Sequence, residues 1–101
     1  MADRFVSSRI GAGKVTVFMK PSCPYYRNAM AILRKFNFRQ GCLDLVDITG
    51  MDEVQDYLQE VTRQRTVPWV FIGEDFFGGC SRLQDLHGQL PGMLCKIGAL
   101  Q

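Results

Sequence analysis

Lys14-Val-Thr-Val-Phe-Met-Lys-Pro-Ser-Cys-Pro-Tyr-Tyr26 is the stretch on which the fold turns. Lys14 to Met19 is β-branched and apolar, the composition of a buried strand. Lys20-Pro-Ser then ends it, and from Arg27 to Phe36 the residues Ala29, Ile32, Leu33 and Phe36 recur at helical spacing on one face. Cys23 therefore falls at a strand-to-helix turn, at or beside the N-cap, with Pro24 suited to the first helical position. Unpaired backbone N–H groups, the positive end of the helix dipole and the nearby Lys20 cation all favour a thiolate there, and the thiolate is the nucleophile. An inert buried thiol is the alternative, and it accounts less well for a proline placed directly after a strand-end cysteine.

Working outward, Ala2 to Ile10 has the makings of a short helix closed by Gly11 and Gly13. Gly41 turns the chain into Leu43-Asp-Leu-Val-Asp-Ile48, an alternating strand. Asp52 is a candidate N-cap for a helix from Glu53 to about Arg63, with Val54, Tyr57, Leu58 and Val61 inward. Val67 to Ile72 reads as a third strand interrupted by Pro68. Gly73-Glu-Asp turns into a short edge strand at Phe76-Phe77, Gly78-Gly79 breaks it, and Ser81 to Leu86 and Leu90 to Ile97 read as two short helices. A right-handed βαβ crossover makes the first two strands parallel, and the hairpin extends the sheet antiparallel. The expectation is an α/β chain with a four-stranded mixed sheet flanked by helices. No repeat, linker or low-complexity segment divides it, so residues 1–101 read as a single domain.

Composition excludes several classes of function. A net charge of +2 with scattered basic residues argues against nucleic acid. The N-terminus lacks the pattern of a signal peptide, and no apolar run approaches spanning length, so a cytoplasmic protein with no membrane partner is expected. The four cysteines, Cys23, Cys42, Cys80 and Cys95, include no C-x-x-C pair, and His87 is the only histidine, so no metal is expected. Free thiols suit a reducing compartment better than a disulfide framework does. Cys42 and Cys95 read as structural or surface thiols.

Four segments carry a resemblance. Lys20-Pro-Ser-Cys-Pro-Tyr, Arg65-Thr-Val-Pro68, Val70-Phe-Ile-Gly73 and Gly78-Gly-Cys-Ser81 resemble, in order and spacing, the active-site segments of the glutaredoxins, or thioltransferases. The likeness runs to the terminal Ile97-Gly-Ala-Leu-Gln101 and is closest to the vertebrate cytosolic type. It implies a thioredoxin-like fold and glutathione as co-substrate. Cys23 would be the catalytic residue, holding glutathione as a mixed disulfide. Thr66-Val67-Pro68 resembles the family's cis-proline turn, whose backbone pairs with the cysteine of glutathione like an added strand. Lys20, Gln55 and Arg65 match positions that hold the glycine carboxylate. Gly79, Cys80 and Ser81 would take the γ-glutamyl carboxylate on helix-start N–H groups, and Tyr25 would flank the thiol. Each also has a plainer reading: Lys20 and Arg65 as solvated charges, Gln55 as a polar-face residue, and Gly78-Gly79 as a turn.

The departures from the family pattern are as informative. Tyr26 stands in place of a second, resolving cysteine. Trp69 replaces an Arg after Thr-Val-Pro, Phe76-Phe77 replace a Cys-Ile pair, and Arg82 replaces an Asp that in relatives pairs with the α-amino group of glutathione. These changes are expected to border one cleft, with Trp69 and Phe77 beside the Cys23 thiol and Phe77 alternatively filling the core. Two functions from different classes follow. One is a monothiol, glutathione-dependent oxidoreductase acting on glutathionylated proteins or small mixed disulfides, expected to be a monomer. The other is a binding module in which Trp69, Phe77 and Tyr26 form an aromatic recognition surface. Whether Cys80 serves as a resolving thiol stays open. An iron–sulfur-bridged dimer is a weaker third reading, because cluster-holding relatives usually lack a proline such as Pro24.

Overall fold

A computed structural model describes residues 2–101. In chain order the elements are α1 (Ala2–Arg9), β1 (Val15–Met19), α2 (Pro24–Leu33), β2 (Leu43–Asp47), α3 (Asp52–Thr62), β3 (Trp69–Ile72), β4 (Asp75–Gly78), α4 (Cys80–Asp85), a 3-10 turn (His87–Gln89) and α5 (Leu90–Lys96). The strands form one mixed sheet in the order β2-β1-β3-β4. β1 runs parallel to β2 and antiparallel to β3, and β4 is antiparallel to β3, as the βαβ unit and hairpin require.

Strand alternation divides the interior into two layers. Val15, Val17 and Met19 of β1, with Val70 and Ile72 of β3, face Ala29, Met30 and Leu33 of α2 together with residues of α4 and α5. Phe18 of β1, with Trp69 and Phe71 of β3, faces Val6 of α1 and Val54 and Leu58 of α3. β1 is buried along its whole length because both layers close on it. Its one polar residue, Thr16, donates its hydroxyl to the Arg9 carbonyl at 3.0 Å, which satisfies the group and ties down the end of α1.

The boundaries shift in ways that have local causes. α2 begins at Pro24 with Cys23 as N-cap and stops at Leu33 rather than Phe36. The chain beyond tightens through i→i−3 bonds, Lys35 N–H to the Ile32 carbonyl and Phe36 N–H to the Leu33 carbonyl, although Phe36 still packs on the core. α3 is capped by Met51 rather than Asp52, which occupies the first turn with Glu53, where acidic charge suits the dipole. Val61 does not join its inner face. It is 54% exposed, while Val54 and Leu58 are buried. β3 starts at Trp69 because Pro68, whose peptide bond to Val67 is cis, has no N–H for the ladder. Among the described residues no helix is long and apolar enough to cross a membrane.

Candidate active site

Cys23 leaves the end of β1 in extended conformation, φ −82° and ψ 128°, and caps α2 with no side-chain hydrogen bond to the helix. Its N–H donates to the Lys20 carbonyl at 3.0 Å, closing the turn, and its carbonyl accepts from Tyr26 N–H. The thiol is thus free of capping duty. It points at the Val67 carbonyl of the cis-proline turn, 3.9 Å away. Val67 forms part of the wall of a cleft of about 570 Å³.

That cleft is lined by the turn Gln64, Thr66 and Val67, by the corner from β4 into α4, Phe76 to Arg82, and by Tyr25. Gly79 precedes α4 as N-cap, so the first N–H groups of α4, starting with Cys80 and Ser81, have no intrahelical partner. Cys80 is buried. Burial pushes its thiol above the ordinary range, and the neighbouring Cys23 charge pushes it in the same direction.

The structure brings Tyr25, Thr66, Val67, Gly79, Cys80, Ser81, Phe76, Phe77 and Arg82 together at this cleft. Pro68 lies directly behind the turn, buried. Lys20, Gln55 and Arg65 are not in the cleft lining: Lys20 and Gln55 are half-buried and Arg65 is exposed. Tyr26 packs half-buried against the α2 layer rather than opening on the cleft. Arg82 lays its stem over Gly78, where a β-carbon would meet it at 2.8 Å, and sets its guanidinium 5.4 Å over the Phe77 ring.

Trp69 corrects the sequence reading. It is 0% exposed in the α1/α3 layer, the opposite side of the sheet from α2. Alternation explains it: Trp69 shares its face with Phe71, two residues on, so the residue after Pro68 points inward. Its indole N–H donates to Thr62 Oγ1 at 3.1 Å and to the Gln64 carbonyl at 3.2 Å, so no polar group is stranded. Phe77 touches the cleft but is only 8% exposed and belongs to the core. The expected aromatic recognition surface of Trp69, Phe77 and Tyr26 is therefore not assembled; the exposed aromatic lining the cleft is Tyr25, at 56%. Gln64 was missed altogether, since a glutamine after a helix end carries no distinguishing signal.

Comparison with known proteins agrees with this architecture. A model of the Glutaredoxin family matches residues 15–77. The chain is 58% identical to Glutaredoxin-1 of Gallus gallus over 100 residues, covering 99% of each, and 53% identical to Glutaredoxin-1 of Homo sapiens over 106 residues, covering all of both. Its fold superimposes with a TM-score of 0.90 on the crystal structure of a buckwheat glutaredoxin–glutathione complex, 29% identical, over 100% of this chain and 94% of that one. The fold is accordingly thioredoxin-like.

Proposed function

The chain belongs to the glutaredoxin family of glutathione-dependent thiol oxidoreductases, and from that premise we propose that it strips glutathione from mixed disulfides by a monothiol route through Cys23. The single observation that carries this reading is the Cys23 thiol, free of capping duty at the start of α2 and facing the Val67 carbonyl at 3.9 Å beside an open cleft.

In the first step the Cys23 thiolate attacks the glutathionyl sulfur of the substrate. The disulfide bond breaks, the released thiolate takes a proton from water, and glutathione remains on Cys23. In the second, the thiolate of another glutathione attacks that same glutathionyl sulfur, giving glutathione disulfide and restoring Cys23. The net exchange consumes one glutathione: the mixed disulfide and that thiol become the free substrate thiol and glutathione disulfide. The Val67 backbone would pair with the cysteine of the bound glutathione as an added strand. The α4 N–H groups of Cys80 and Ser81, after Gly79, would take the γ-glutamyl carboxylate, and Lys20, Gln55 and Arg65 the glycine carboxylate. Tyr26 has no thiol to resolve the enzyme's mixed disulfide, and Cys80 is buried, its thiol pushed upward by that burial and by Cys23. A chain with free thiols at Cys23, Cys42, Cys80 and Cys95 suits the reducing cytoplasm, working as a monomer.

The test is turnover of a small glutathionylated disulfide with glutathione, together with a mass spectrum of the enzyme. Activity should depend on glutathione, vanish in Cys23→Ser, and leave one glutathione on Cys23 when the second step is starved. Tyr26→Cys should restore direct reduction of protein disulfides while changing deglutathionylation far less. A parent protein inactive toward the mixed disulfide would defeat the reading. Equal gains in both assays would defeat the monothiol part alone.

A further inference from the structure

Gln64 joins the two walls of the cleft. Its Nε2 donates to the Thr66 carbonyl and to the Pro68 carbonyl, each at 2.8 Å. The backbone of Gln64 is itself held: its N–H donates to Thr62 Oγ1 at 3.2 Å, and its carbonyl accepts from the Trp69 indole. Across the cleft, a β-carbon at position 79 would meet Gln64 Nε2 at 3.0 Å and Oε1 at 3.1 Å, so the amide fills the space that Gly79 leaves. One side chain thus touches the proline turn on one side and the β4–α4 corner on the other.

The two carbonyls that Gln64 holds flank Val67 in sequence. With both drawn to the amide, the Val67 carbonyl is the one left toward Cys23. Among the described residues Val67 N–H makes no backbone hydrogen bond either. Val67 thus keeps an N–H, and a carbonyl engaged only by the weak Cys23 thiol donor, for a strand-like ligand to use. An amide suits this task because its single nitrogen carries two donors and no charge, enough for two carbonyls at once.

We propose that Gln64 is a positioning residue for glutathione: by holding the Thr66 and Pro68 carbonyls it orients the Val67 backbone into the cleft and so sets the affinity for the glutathionyl group. The proposal rests on the function proposed above. A glutamate at this position keeps the shape, loses both donors and aims a carboxylate at two carbonyl oxygens.

The experiment compares Gln64→Glu and Gln64→Ala with the parent in the full chain. It measures KM and kcat for a small glutathionylated disulfide, melting temperature, and, on a Cys23→Ser background, Kd for S-methylglutathione. Both variants should raise KM and Kd about tenfold, the loss of one or two net hydrogen bonds, with kcat changed far less. A merely structural role would lower the melting temperature and leave Kd where it was, and that result overturns the proposal. So does a Gln64→Glu protein indistinguishable from the parent in Kd, which leaves the deglutathionylation reading standing. A parent that neither turns over the disulfide nor binds S-methylglutathione overturns both.

Discussion

Cys80 lies against the cleft with its thiol pushed upward, first by burial and second by the charge of Cys23. The sign of the linkage follows. Above the ordinary thiol range the unfolded chain releases this proton while the folded chain retains it, so the stability it contributes is complete at neutral pH and falls as pH rises. Unfolding free energy measured from about pH 8.5 upward should therefore decline more steeply in the parent than in Cys80→Ser. Trp69 has no titration, but its burial makes the sharper mutational case. Trp69→Arg should cost about 3–5 kcal/mol in denaturant unfolding, through an unpaired buried charge and a lost aromatic. Trp69→Phe, which surrenders the bonds to Thr62 and Gln64 and leaves a small cavity, should cost less, about 1–3 kcal/mol. Cys23 could be placed from sequence because strand, proline and helix meet around it. Trp69 could not, because its placement depends on which side of the sheet faces the cleft, and that is decided by helices distant in the chain.

At the scale of elements the reading was dependable wherever periodicity continued through a packed stretch, and faltered at ends. Every strand and helix expected is present, but α2 stops before Phe36 and the stripe on α3 fails at Val61. A helical period records which residues share a face, and it carries no information about how far the neighbouring layer extends beneath them. Leu58 and Val61 occupy one stripe yet meet different surroundings, one fully buried and one mostly in water. Leu58→Ala should lose about 2–5 kcal/mol. Val61→Ser should stay within about 0.5 kcal/mol of the parent, and urea titrations of the pair measure the contrast. The proline turn shows the same limit. Its motif was legible, but the Gln64 amide beneath it was not, since the turn and Gly79 meet that side chain only after β3 and β4 have paired.

For the molecule as a whole, the order β2-β1-β3-β4 was recoverable because a βαβ unit followed by a hairpin leaves few ways to build one sheet. The split of the core into two layers follows from strand alternation, and both layers close on β1. The two sides of the cleft consequently differ in standing. Cys23 leaves an inner strand buried along its whole length, whereas the corner that would receive the γ-glutamyl end is built from an edge strand and a six-residue helix. Amide protons of Val15 to Met19 should exchange with deuterium only when the entire chain opens, while those of β4 and the first turn of α4 should exchange through a smaller, more frequent opening. Exchange followed by mass spectrometry, with and without glutathione, measures both rates, and ligand should slow the second set far more than the first. Under the proposed function the protein would then work as a fixed anvil with a yielding jaw, the Cys23 sulfur staying put while the opposing side opens to admit and release what it grips.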